Sequence, residues 1–246
     1  MMPMTRSSPP DLHLFGKTAL VTESSCGISC ALALALSQAG AQVLVHFSSF
    51  EPEACAVVAK IREAGGRAEK IRADLSSPDG AHALADRVRR IVGGRLDLLV
   101  TNAGSAQATN LDAGAAAFDK FIATNIRAPF FLVQQLLPVM CQGSSVLLVS
   151  NLRERAETNP ANAMAKGALD ALSKQLAPTL GVKGIRVNAL VVSKGAQASQ
   201  PTLSGPTGSI DPGDISSATV FLLSEAARSM SAATILVDTE IAGPAS

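Results

Sequence analysis

Short apolar runs alternate along this chain with longer Ala- and Leu-rich segments of helical period, and that alternation restricts the fold more than any other feature. Lys17 to Thr22, Gln42 to Phe47, Ala68 to Ala73, Leu96 to Val100, Val146 to Ser150, Ile185 to Leu190 and Thr234 to Val237 each read as a strand. Between them, Ile28 to Gln38, Pro52 to Ala64, Asp79 to Val92, Ala115 to Met140, Ala161 to Leu180 and Ile215 to Ser224 read as helices. Gly40 and Gly65-Gly66 stop the first two, and the fourth is expected to be interrupted near Pro129. In the helix after the fifth strand, Ala168, Leu169, Leu172 and Leu176 share the face expected to pack. Strands joined through helices by short loops run parallel, so the expected fold is α/β, a doubly wound sheet with helices on both faces.

Such a sheet needs a large core. A chain of 246 residues with 47% hydrophobic content supplies one in a single domain, expected over residues 14–246 after a polar, disordered leader at 1–13. Ser193 to Pro212, rich in Gly, Ser, Pro and Gln, reads as a loop. A net charge of +1, with both signs intermixed, gives no footprint for nucleic acid or an anionic membrane. The leader lacks the apolar segment of a signal peptide, and no apolar run reaches the roughly 20 residues of a membrane span, so a soluble, cytoplasmic protein is expected. Cys26, Cys30, Cys55 and Cys141 match no zinc spacing and are expected to be reduced thiols, with no metal site. His13, His46 and His82 have no partner motif and read as structural or solvent-facing.

Five short motifs follow one another in a fixed order. The first strand runs into Thr22-Glu23-Ser24-Ser25-Cys26-Gly27-Ile28-Ser29, and the third ends at Asp74-Leu75. The fourth enters Asn102-Ala103-Gly104, the long helix carries Thr124-Asn125, and the fifth strand leads through Ser150-Asn151 to a helix bearing Asn162 and Lys166. Over about residues 14–240 this order resembles the short-chain dehydrogenase/reductase family, in its 3-oxoacyl-carrier-protein reductase-like branch. The resemblance implies a Rossmann-type domain with a seven-stranded parallel sheet. It also implies a homotetramer or dimer packed through the helices that start near Ala115 and Ala161, a small-molecule substrate, and the option of a mixed oligomer with an active homologue.

The same resemblance assigns roles, and the departures from it are concentrated where chemistry occurs. The glycine turn of the family, T-G-x-x-x-G-I-G, receives a dinucleotide pyrophosphate at a helix N-terminus. Here Thr22, Gly27 and Ile28 remain, while Glu23 replaces the first glycine. An ionised Glu23 about 4 Å from a phosphate charge would repel it by roughly 4 kcal/mol; alternatively its side chain turns outward and pairs locally. Ser48, beside Ser49, suits a 2′-phosphate better than a bare ribose, although the arginine of an NADP site is absent from the glycine turn. Asp74 and Leu75 match the adenine contacts, and Asn102, Ala103 and Gly104 the strand-end motif. The positional equivalents of the family's catalytic tetrad are Asn125, Asn151, Asn162 and Lys166, with Ser150 adjoining the old serine position; Lys166 also corresponds to the lysine that holds the nicotinamide ribose.

The family's proton-relaying tyrosine stands four residues before the lysine, where this chain has Asn162, and there is no tyrosine anywhere in it. A carboxamide donates a hydrogen bond but does not exchange a proton near neutral pH. Val191-Val192-Ser193-Lys194 replaces the Pro-Gly that meets the nicotinamide, and Val237-Asp238-Thr239-Glu240 replaces V-D-G-G. Two readings follow. In the first, ordinary hydride transfer is lost and the old cleft, with no cofactor or a weakly bound NADP(H), serves a non-redox step, a small-molecule ligand or an inactive partner subunit. In the second, the protein is a weak NADP(H)-dependent oxidoreductase of a carbonyl or alcohol, with Lys166 or water as proton source. The loop Arg153-Glu154-Arg155-Ala156-Glu157 reads either as a source of replacement carboxylates or as a self-paired, solvated segment.

Overall fold

Buried β-branched and leucine residues that alternate between two faces set the architecture. Ala19 and Val21 pack to one side of the sheet and Leu20 to the other, as do Val43 and Val45 against Leu44, and Leu147 and Val149 against Val146 and Leu148. A computed structural model of the chain describes residues 11–103, 113–150, 160–192 and 212–237. Its strands are β1 (Thr18–Val21), β2 (Gln42–Phe47), β3 (Arg67–Arg72), β4 (Leu98–Ala103), β5 (Ser145–Ser150), β6 (Arg186–Val192) and β7 (Thr234–Val237). They form one parallel sheet in the order β3-β2-β1-β4-β5-β6-β7. The doubly wound, seven-stranded arrangement is the expected one.

The helices are α1 (Gly27–Gln38), α2 (Glu51–Glu63), α3 (Gly80–Val92), α4 (Ala115–Ile122), α5 (Ala128–Leu136), α6 (Pro160–Gly181) and α7 (Pro212–Leu223). Leu32 and Leu36 of α1, Val57 and Ile61 of α2, and Ile215 and Leu222 of α7 close one face of the sheet. Leu84 and Val88 of α3, Leu132 and Leu136 of α5, and Leu169 and Leu180 of α6 close the other. Both layers bury continuous apolar surface, the main favourable term in folding. Sequence order reverses between β1 and β4, and the strand ends there open the crevice in which a doubly wound sheet places its ligand.

Three local expectations are corrected, while the interruption expected near Pro129 in the long helix is a π-helical turn at Ala123–Arg127. Pro129 has no N–H to return to Asn125, so the bonding slips by one residue, and the Ala128 N–H donates to the Ala123 carbonyl. Strand β4 starts later than expected, because the Asp97 carboxylate takes the Thr18 N–H at 2.9 Å below the first strand pair. It also runs on through Asn102 and Ala103, which pair with Val149 and Ser150. Strand β6 continues through Val191 and Val192, since Leu236 and Val237 of β7 offer them a partner. In α6 the buried seam runs through Leu169, Ser173 and Ala177, with Leu172 and Leu176 at its margin, because the helix is rotated toward the sheet on a seam of small residues. The expectations for residues 1–10, Gly104, Asn151, the Arg153 to Glu157 run, Ser193 to residue 211 and the chain after Val237 fall outside the described residues.

Candidate active site

The strand ends at the β1/β4 reversal bound a cleft of about 530 Å³. Its floor is fixed by Thr22, whose hydroxyl accepts the Asn102 N–H at 2.9 Å while its own N–H donates to the Val100 carbonyl at 3.0 Å. Two strand ends are thereby tied at one point. Asn102 lines the cleft, and its side-chain Oδ1 is buried without a hydrogen-bond partner among the described residues. A buried acceptor left open in this way is placed for a donor on a ligand.

Between Thr22 and α1 the chain makes a tight turn around a buried histidine. Glu23 takes the left-handed φ of 51°, which costs a non-glycine residue on the order of 1 kcal/mol. Its N–H donates to His46 Nδ1 at 3.0 Å, the Ser24 N–H donates to the His46 carbonyl at 2.9 Å, and the Ser24 hydroxyl donates to the Val21 carbonyl at 2.8 Å. The other imidazole nitrogen, Nε2, lies 3.1 Å from the Ala73 carbonyl. With Nδ1 accepting, Nε2 carries the proton and donates, so the ring is neutral. Full burial pushes the His46 pKa down to about 4, in keeping with that assignment. Although Glu23 Oε1 is 3.7 Å from Nδ1, the two are not an ion pair. His46 is thus structural as expected, but its role as a strut beneath the turn was not legible from the sequence.

The Glu23 side chain is 13% exposed and borders the cleft. Burial first, and then the Asp74 carboxylate, push its pKa from 4.5 up to about 7, against an opposing hydrogen bond from the Ser48 hydroxyl. The repulsion expected from an ionised Glu23 is accordingly weakened toward neutral and lower pH. The side chain does not turn outward. Gly27 follows with φ 63° and open space where a Cβ would stand, so conformation alone calls for glycine there. The N-cap of α1, Cys26, makes no side-chain capping bond, which leaves the first-turn N–H groups beside the cleft to an external acceptor.

Farther along the cleft, Asp74 Oδ1 accepts the Ser76 N–H at 2.9 Å and the Ser76 hydroxyl at 2.6 Å. The hydroxyl bond above all holds this carboxyl below the ordinary carboxylate range. A Cβ on Gly80 would fall 1.8 Å from the Asp74 carbonyl, so only glycine lets α3 begin this close. Leu75 and Ser48 complete this end of the cleft, joined by a residue that the sequence reading missed, Arg72, whose Nε donates to the Ser48 carbonyl at 3.3 Å. The available signal was strand register. Parallel pairing sets Phe47 against Arg72, so the residues just after β2 meet the end of β3.

The catalytic positions gather on the other side of β4. Asn125 is fully buried in the π turn, with Nδ2 donating to the Phe121 carbonyl at 2.8 Å and Oδ1 unpartnered among the described residues. Phe121, Ala161 and Ala165 form one buried cluster, which packs the end of α4 on the start of α6. Asn162 and Lys166 lie one turn apart on that same stretch of α6, Asn162 buried and Lys166 half-buried. Ser150 ends β5 with its hydroxyl buried and unpartnered among the described residues. By strand alternation it faces the α5 and α6 layer, next to Ala103 and Val191 across the sheet. Asn125, Ser150, Asn162 and Lys166 lie on the π turn, β5 and α6, with α6 packed against both of the others; Gly27, Ile28, Ser48, Asp74, Leu75 and Asn102 line one cleft, with Thr22 bonded to Asn102. Among the described residues no cluster of His, Cys, Asp and Glu could hold a metal, and no helix is long and apolar enough to cross a membrane.

With this geometry in place, comparison with known proteins is informative. The enoyl-(acyl carrier protein) reductase family profile matches residues 23–239. Versicolorin reductase stcU of Emericella nidulans is 34% identical over 188 residues, spanning 75% of this chain and 71% of that one. The rhamnolipids biosynthesis 3-oxoacyl-[acyl-carrier-protein] reductase of Pseudomonas aeruginosa is 34% identical over 191 residues, spanning 74% and 73%. Among solved structures, the angucycline C-6 ketoreductase LanV with bound NADP superposes with a TM-score of 0.80 at 33% identity, covering 92% of this chain and 96% of that one. The Pseudomonas aeruginosa RhlG/NADP active-site complex gives 0.80 at 26% identity, covering 95% and 99%.

Proposed function

The chain belongs to the short-chain dehydrogenase/reductase family, in its enoyl- and 3-oxoacyl-carrier-protein reductase-like branch, and from that premise we propose that it is a weak NADP(H)-dependent ketoreductase acting on a carbonyl or alcohol substrate. The observation that carries this reading is the retained nucleotide end of the cleft, where Asp74, Ser48 and Arg72 converge beside the open Asn102 acceptor. Those residues fit the adenosine half of a dinucleotide. A guanidinium beside two serines suits a 2′-phosphate, because it offers charge and several donors in a fixed fork. Relatives named versicolorin reductase and 3-oxoacyl-[acyl-carrier-protein] reductase, and the angucycline C-6 ketoreductase solved with NADP, support the same class of chemistry.

When bound, the nicotinamide supplies a hydride equivalent to a carbonyl carbon. The chain's own residues supply everything else. Asn162 donates a carboxamide N–H to the substrate oxygen and polarises the carbonyl, but it has no proton to give. The proton that completes the alcohol comes from Lys166 or from water held near it. Asn125 Oδ1, unpartnered among the described residues, is available to hold a water on the way to that lysine. Loss of a positioned general acid lowers the rate by about 10² to 10⁴, so turnover is slow.

A second reading is favoured by one specific observation, the absence of any tyrosine in the chain together with the buried amide at 162. On that reading the cleft binds a dinucleotide or another small molecule without hydride transfer, as a non-redox catalyst or an inactive partner subunit. One experiment separates the two. NADPH is titrated by its own fluorescence, then oxidised in the presence of a bicyclic aromatic ketone or a 3-oxoacyl thioester. Saturable binding, weakened in Arg72→Ala for NADPH more than for NADH, with substrate-dependent oxidation that vanishes in Lys166→Ala, supports the reductase. Binding without oxidation above background leaves the second reading standing.

A further inference from the structure

Resting on the reading that the cleft accepts a dinucleotide, we propose that Glu23 recognises the ligand's phosphate in its carboxylic acid form, donating its proton to a phosphate oxygen, so that binding draws a proton from solution. A residue that repels phosphate when ionised then becomes a donor to it, and the cleft senses the charge state of its own wall.

Four observations support this. First, position: Glu23 borders the cleft next to the N-terminus of α1, where Cys26 provides no cap and no acidic residue occupies the first turn. The N–H groups there attract an anion, and the open Asn102 Oδ1 independently marks the same cleft as a ligand site. Second, rigidity: the His46 ring and carbonyl hold the Glu23 and Ser24 amides at 3.0 and 2.9 Å, so the backbone cannot swing the carboxyl away. Third, the division of protons: two carboxyls share the cleft, and Asp74 is the one held ionised by the Ser76 amide and hydroxyl. The proton therefore resides on Glu23, whose pKa stands at about 7. Fourth, bond strength: an O–H donor to a charged phosphate oxygen is among the stronger hydrogen bonds a protein makes, and the added negative charge of the ligand favours protonation further.

The groups that face Glu23 from each packed element leave it as the titrating one in the neutral range. Cys26 of α1 has its thiol pushed up by burial. His46 of β2 is neutral down to about pH 4, and Asp74 after β3 is held low by Ser76. Ser48, Ser49, Asn102 and Thr124 are uncharged, and Arg72 and Lys120 are the cations lining the cleft.

The test measures the NADPH dissociation constant by fluorescence from pH 6 to 8.5 in wild type, Glu23→Gln and Glu23→Gly. It is paired with calorimetry of NADP+ binding in two buffers of different ionisation enthalpy, which counts protons taken up. Comparing variants cancels the ligand's own 2′-phosphate titration. From pH 7 to 8.5 the wild-type constant is expected to rise about tenfold or more relative to both variants, with net proton uptake in wild type alone. Parallel pH profiles in wild type and variants, or an enthalpy independent of buffer in wild type, overturn the proposal while leaving the dinucleotide reading intact. Absence of saturable binding across the whole range overturns both. If one variant fails to fold, the other supplies the comparison.

Discussion

At the scale of single residues, a carboxamide at 162 separates binding from proton transfer. Asn162 occupies a buried position on α6 one turn from Lys166. Restoring an exchangeable proton there restores the missing step. Asn162→Tyr is accordingly expected to raise NADPH-dependent ketone reduction by about 10²-fold or more, with KM changed less than kcat; an unchanged kcat in a folded variant would remove proton supply as the bottleneck. Asn162, Lys166 and Asn125 could be found in the sequence because they sit at fixed offsets inside helices. Arg72 could not. It closes a charged strand, R-A-E-K-I-R, whose outward residues resemble a solvated edge, and only the pairing of Phe47 with Arg72 carries it to Ser48.

At the scale of elements, the β1 to α1 turn and the end of β2 behave as one titrating unit. His46, lowered from 6.5 to about 4, binds fewer protons folded than unfolded, so its contribution is full above pH 6.5 and is lost as pH falls through 4. Glu23, raised from 4.5 to about 7, binds more protons folded, so its contribution is full below pH 4.5 and is lost as pH rises through 7. Between these limits the two slopes oppose each other. Removing one exposes the other: Glu23→Gln is expected to gain stability relative to wild type by about 3 kcal/mol between pH 4.5 and pH 8, measured by urea unfolding at each pH. A stability difference independent of pH would contradict the placement of a protonated carboxyl in the fold. Sequence could show that Glu23 stands in a glycine position. Its charge state depends on burial over His46 and on Asp74 arriving from another strand, and neither is a local property of the chain.

At the scale of the whole molecule, the parallel, doubly wound sheet with its helical layers was legible in the alternation of apolar runs with helical segments, whereas the strand order and the crevice at the β1/β4 reversal emerge only from the strand pairing. The helix that Pro129 disturbs was legible only in part, since the sequence marks the residue that lacks an N–H and not the turn that absorbs the loss. Among the exposed apolar side chains, Phe130 of α5 is 44% exposed and Met164 of α6 53%. We propose that a second copy of the chain covers them. Native mass spectrometry is expected to give a dimer or tetramer, reduced to monomer by Phe130→Glu combined with Met164→Glu; a monomeric wild type would rule this out.

Both apolar layers close beneath the strand ends, and the polar residues at the rim, Glu23, Ser48, Asp74 and Asn102 among them, stand outside those layers. A lineage can thus rewrite the rim one position at a time, exchanging glycine for glutamate or a phenol for an amide, while the foundation that keeps the chain folded is left untouched.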